Sequence, residues 1–154
     1  MMGPLLWLRR SAFRVSCGLV LACAAALAGA QDAQEINRLL RQGQLDAAAV
    51  KADALLAKNP KDAQSRFIKG VVLSEQGKSA EAIALFQALT EDYPELPEPY
   101  NNLASLFAAK GQYEKAKTAL EMAIQTNPSY ATAYENLGDV YARMASQAYD
   151  KALQ

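Results

Sequence analysis

The residues able to do chemistry are quickly counted. Carboxylates come in pairs, Glu91-Asp92 and Glu95 with Glu98, which is the raw material of general acid–base work. The chain has no histidine, and its only two cysteines are Cys17 and Cys23. The usual general base and the usual zinc ligands are therefore missing. The stretch from Asp46 to Asp53 lacks the glycine and the closing glutamate of a calcium loop. From Gly43 onward the glycines stand singly, so no glycine-rich loop can cradle a phosphate. No carboxylate pair has a neighbour placed to shift its proton affinity, and charged side chains are mostly solvated. No catalytic, cofactor-binding or metal-binding residue is assigned, and a catalytic function is not expected.

The charge balance points the same way. The 154 residues carry 16 basic and 16 acidic side chains. Arg9, Arg10 and Arg14 are the only charges before Asp32; without them 13 basic residues face 16 acids, a net of −3. An acidic body without a basic stripe offers no footprint for nucleic acid.

Those arginines precede an apolar run from Val15 to about Leu27, then Ala28-Gly29-Ala30. This is the layout of a secretory signal peptide over residues 1–30, with Gln31 as the new N-terminus. The run is shorter than the ~20 apolar residues of a membrane span, so no span is expected in the mature chain. Export to the periplasm or medium is the leading expectation. The alternative is a lipoprotein, because Val20-Leu21-Ala22-Cys23 is similar to a lipobox, with Cys23 as the lipidated residue.

Positioning elements show up as a repeat. Gly43, Gly77 and Gly111 recur with a period of 34, and so do Pro60, Pro94 and Pro128. In the third unit Tyr100, Leu103, Ala104 and Phe107 form an apolar helical stripe, spaced i, i+3, i+4, i+7. Lys110-Gly111-Gln112 breaks it. Tyr113, Ala116, Leu120, Ala123 and Ile124 form a second stripe, which Asn127-Pro128 stops. The second unit repeats this with Ala82, Ile83, Phe86 and Leu89, and the first with Leu45, Ala48, Ala52, Leu55 and Leu56. Each unit thus reads helix, tight turn, helix, stop. Tyr93, Tyr100, Tyr113, Tyr130, Tyr134 and Tyr141 fall mostly at packing positions of this scheme.

The pattern resembles the tetratricopeptide repeat (TPR) family. "YENLGDVYA" carries its first-helix signature through Tyr134, Leu137, Gly138 and Tyr141. "YNNLASLFA" follows, with Ala104 in the glycine place and Phe107 in the tyrosine place. The layout of residues 94–104 and 127–154 is also similar to a group of exported proteobacterial repeat proteins. The resemblance implies an all-α, right-handed solenoid of about 3.5–4 helix-turn-helix units at residues 31–62, 63–96, 97–130 and 131–154. Two places depart from the pattern. Asp32 to Glu35 reads as a helix start with a capping-box variant, opening a short helix from about Ala33 to Arg41. In the fourth unit Ala145 replaces the turn glycine, no glycine or proline occurs from Asp139 onward, and "YDKAL" (149–153) reads as a second helix arriving five residues early. A turn near Met144 to Ser146 is favoured over one long helix from Thr132 to Gln154.

In such a solenoid the first helix of each unit lines a concave groove. The residues one place past the core stripe, and four beyond, are Phe67 and Val71, Asn101 and Ser105, Glu135 and Asp139, flanked by Asn102 and Asn136. The groove then grades from apolar through amide to acidic. Asparagine can both donate to and accept from an extended peptide backbone, and the acids would favour a basic segment. The cationic clamp by which chaperone-tail binders of the family grip a terminal carboxylate has no cation at Phe67, Asn101 or Glu135. The expected function is a non-catalytic scaffold or adaptor of the bacterial envelope that takes a protein or peptide partner in this groove. Asn101→Ala with Glu135→Ala should then abolish capture without lowering thermal stability. The alternatives are an envelope-assembly lipoprotein held through Cys23, or a structural subunit that self-associates by stacking through an uncapped C-terminal end.

Overall fold

The computed structural model describes residues 30–153. The expected signal peptide (residues 1–30) and Cys23 lie outside them, apart from Ala30. Among the described residues the chain forms seven helices and no strand: α1 (residues 30–41), α2 (Leu45–Lys58), α3 (Ala63–Glu75), α4 (Ser79–Asp92), α5 (Pro97–Ala109), α6 (Tyr113–Thr126) and α7 (Ala131–Ala152). From α2 onward each helix packs on the next, and α3 also meets α5, as α5 meets α7. This is the expected all-α solenoid. None of these helices is long and apolar enough to cross a membrane.

The period of 34 has a backbone cause at both punctuators. Gly43, Gly77 and Gly111 adopt φ of 70°, 73° and 70°. This left-handed conformation costs residues with a side chain about 1–2 kcal/mol. At Gly77 the amide N–H of Lys78 donates to the carbonyl of Leu73, and that of Gly77 to Ser74, both at 2.9 Å. The same two bonds recur at Gly43 and Gly111. Together they are the Schellman closure of a helix C-terminus. A Cβ on Gly77 would meet nothing within 4 Å, so the cost of Gly77→Ala is conformational alone. That variant is expected to lose about 1 kcal/mol, read as a lower midpoint in chemical denaturation.

The prolines work one residue upstream. Asn59, Tyr93 and Asn127 have left the helical region, with φ of −138°, −138° and −140° and ψ of 77°, 66° and 93°, in keeping with the clash that a following proline ring makes with a helical residue. Pro97 and Pro99 sit in the first turn of α5, where no intrahelical N–H bond is lost. Both are buried. The Tyr93 hydroxyl donates to the carbonyl of Lys61, tying the α4–α5 joint to the α2–α3 joint one unit earlier.

Helices meet through small-to-large contacts. Ala48, Ala82 and Ala116 are fully buried at equivalent places. Gly70 on α3 is a sharper case. A Cβ there would lie 2.6 Å from Cε1 of Phe86. The absent side chain is thus the socket into which the fully buried Phe86 of α4 inserts.

Three expectations are corrected. Asp32 is not a helix cap: α1 is already helical at residue 30, and the Asp32 carboxylate accepts from Lys58 Nζ on α2 at 3.0 Å. The favoured turn near Met144 to Ser146 does not form; α7 is one helix of 22 residues. With alanine in place of glycine the left-handed closure is costly, and no proline interrupts the ladder, so the helix propagates. As a result Tyr134 and Tyr141, expected in the core, are each 49 % exposed, because no second helix among the described residues covers them.

Candidate functional site

α5 and α7 are adjacent first helices of successive units, and α6 lies between them in sequence. Where the three converge they enclose an open pocket of about 420 Å³. Its apolar surface comes from Ala104, Ala108 and Ala109 of α5, Leu120 of α6 and Val140 of α7. The polar groups are Ser105, Tyr113, Asn136, Asp139 and Arg143. Short alanine side chains on α5 leave the space; longer ones would fill it. Asp139 and Arg143 are exposed, and neither makes an ion pair among the described residues. A carboxylate, a guanidinium, a carboxamide and two hydroxyls thus stand around an alanine-lined hollow. Among the described residues no group of three or more His, Cys, Asp or Glu could hold a metal.

The expected groove residues divide into three sets. Ser105, Asn136 and Asp139 line the pocket. Asn101 belongs beneath it. Asn101 is 8 % exposed, and its Oδ1 accepts from Asn136 Nδ2 at 2.8 Å. Its carbonyl also accepts from Ser105 Oγ at 3.2 Å. The position expected to face a ligand is therefore a clamp between α5 and α7 that fixes the Asn136 amide at the pocket wall. The third set lies away from the pocket. Phe67 is half-buried, tilted at 55° against Phe86 with ring centroids 5.7 Å apart. Val71 packs on the same core. Asn102 is half-buried and donates from Nδ2 to the carbonyl of Glu98 at 2.9 Å. Glu135 is exposed but does not line the pocket.

Sequence reasoning missed Ala108, Ala109, Tyr113 and Arg143. Ala109 and Arg143 were within reach, since each continues an expected ladder by one more step of four: 101, 105, 109 and 135, 139, 143. Arg143 places a cation at the pocket, although Phe67, Asn101 and Glu135 supply none. Tyr113 had no such signal, because a second-helix aromatic reads as packing until its neighbours are known.

A stack of helical hairpins with a side-chain-lined hollow between successive first helices defines a repeat protein of the α-solenoid class. Two family profiles then agree on which one: residues 33–97 match "Tetratricopeptide repeat" and residues 104–144 match "TPR repeat". The chain belongs to the tetratricopeptide repeat family. It is 32 % identical over 108 residues, 70 % of its length, to TPR repeat-containing thioredoxin TTL4 of Arabidopsis thaliana. It is 47 % identical over 51 residues, 32 % of its length, to TPR repeat-containing protein YvcD of Bacillus subtilis. The chain spans only 15 % and 10 % of those two relatives. Among solved structures it is similar to YrrB, described as a TPR protein with an unusual peptide-binding site, at 27 % identity and a TM-score of 0.62, covering 70 % of this chain and 55 % of that one. The fold is also that of TTC0263 from Thermus thermophilus, at 23 % identity and a TM-score of 0.70, covering 80 % of this chain and 70 % of that one.

Proposed function

We propose that the chain is a non-catalytic protein- or peptide-binding module. The observation that carries this reading is the pocket between α5, α6 and α7. There Asp139 and Arg143 stand over an alanine floor, without ion-pair partners among the described residues. An extended segment can lay an apolar side chain on Ala104, Ala108 and Val140. Its backbone can meet the Asn136 amide, and its charged groups the two opposite charges of α7. Asn136 is held in place by Asn101 before any ligand arrives, so little ordering remains to be done on binding. The 27 % identical YrrB, described as holding a peptide-binding site, supports the same reading.

The test is an array of extended peptides varied in charge, followed by anisotropy titration of those selected. Asp139→Ala with Arg143→Ala is expected to weaken binding about 10–100-fold, the scale of losing one charge-assisted hydrogen bond of about 1.5–3 kcal/mol. Because both side chains are exposed, the melting temperature should stay close to that of the parent. A double variant that selects and holds the same peptides as tightly as the parent overturns the assignment.

We also infer a cell-envelope location. It rests on the arginine, apolar and small-residue order of positions 1–30. The mass of the protein isolated from its native envelope decides between the two routes. A chain starting at unmodified Gln31 supports the soluble exported form; a lipid-bearing Cys23 supports the anchored one.

A further inference from the structure

The far side of α7 carries a second surface. At about 100° per residue, Tyr134, Gly138, Tyr141, Ala145, Tyr149 and Ala152 fall within one stripe about 80° wide. All six are exposed, Tyr149 by 73 %. A separate face, about 110° round the helix, holds buried Ala133 and Val140, with Leu137 and Met144 packed on the core.

The two halves of this stripe are complementary codes. Gly138 lies two steps of 34 beyond Gly70. Gly70 is the socket filled by Phe86, whereas around Gly138 a Cβ would meet nothing within 4 Å. The socket is empty. Its knob is present in the same helix: Ala145, Tyr149 and Ala152 repeat the 4–3 spacing of Ala82, Phe86 and Leu89 on α4, and of Ala116, Leu120 and Ala123 on α6. Within one copy knob and socket cannot meet. They are eleven residues apart on an unbroken helix, about 16 Å along its axis.

We propose that the two halves meet between two copies of this chain. In an antiparallel pair related by a twofold axis near Arg143 and Met144, Tyr149 of each copy enters the Gly138 socket of the other. Ala145 then faces Ala142, and Leu153 faces Tyr134. Each contact occurs twice, as a twofold interface demands. The arrangement is a hairpin exchanged between copies: the second-helix code of one completes the fourth unit of its partner. Specific interfaces start at about 1,200 Å² in total, and aromatic side chains bring roughly 150–250 Å² each. The pair contributes six tyrosines together with Leu153, which is 87 % exposed. The pocket residues Asn136, Asp139 and Arg143 point away from this stripe, so the interface leaves the pocket open.

Sedimentation equilibrium of the full chain is expected to show a dimer. Ala145→Glu with Tyr149→Glu should weaken it about 100-fold or more, since each copy would bury unpaired charge, with helical content by circular dichroism unchanged. Geometry is read separately in a Cys17→Ser/Cys23→Ser background. Gly138→Cys and Tyr149→Cys variants, mixed and oxidised, are expected to crosslink to each other, and each variant alone much less. A monomer at all concentrations, whether because another partner or further chain covers the stripe, overturns the proposal. So does a dimer insensitive to the glutamates, or one in which each cysteine variant crosslinks only to itself.

Discussion

Phe86→Ala unfolds about 3–5 kcal/mol more easily than the parent chain, the range for removing a fully buried phenylalanine. Phe86 has no exposed surface and touches Phe67 on α3. The socket at Gly70 was shaped for a ring and cannot close on a methyl group. The loss falls in the second of three complete hairpins. In a solenoid each unit is stabilised only by its neighbours, so the first hairpin is also uncoupled from the third. Guanidinium unfolding followed by circular dichroism should show a lowered midpoint and a broader transition. Gly70→Ala attacks the same contact from the other side, because its methyl group would stand 2.6 Å from the ring. A loss below about 1 kcal/mol for Phe86→Ala would mean the socket relaxes, contrary to close packing.

Asn101→Ala costs about 0.5–1.5 kcal/mol, the net worth of one intramolecular hydrogen bond, because Asn136 is only half-buried at the pocket wall. Asn136 Nδ2 loses its 2.8 Å acceptor at the contact between α5 and α7. This contradicts the expectation, drawn from spacing alone, that Asn101→Ala with Glu135→Ala would leave stability intact. The structural role also predicts a distinct pattern across variants. Asn101→Asp keeps an acceptor for Asn136 and should recover part of the loss, whereas Asn101→Leu should not. Thermal melts of the three variants check this. Equal melting temperatures for all three and the parent would return Asn101 to the open groove.

The fold was legible because its signals are local. A glycine at positive φ and a non-helical residue before proline are demands a chain makes on a few neighbours. Repeated with one shared period, Gly43, Gly77 and Gly111 announce the turns, and Pro60, Pro94 and Pro128 announce the stops. The pocket was half legible. Ser105 and Asp139 followed from the helical step of four beyond the core stripe, and one more step would have reached Ala109 and Arg143. Asn101 was misplaced because it occupies the same helical step as Glu135. Only the packing decides that one is buried against Asn136 of α7, whereas the other is exposed and no helix among the described residues lies beyond α7 to cover it.

The fourth unit marks the boundary between the two kinds of knowledge. The amino-acid order by itself determined that a first-helix code (Tyr134, Leu137, Gly138, Tyr141) is followed too soon by the end of a second-helix code (Tyr149 to Leu153). It also determined that no residue between them favours a left-handed turn. Whether those codes would bend onto each other was left to the balance between a costly turn and the burial it would bring. The tertiary structure decided it: α7 runs straight, because Val140, Leu137 and Met144 already seat one face on the core and nothing lowers the cost of reversing the chain. Straightness leaves the Gly138 socket empty and Tyr149 in solvent, a consequence of where two faces of one helix point in space, which residue spacing alone does not encode.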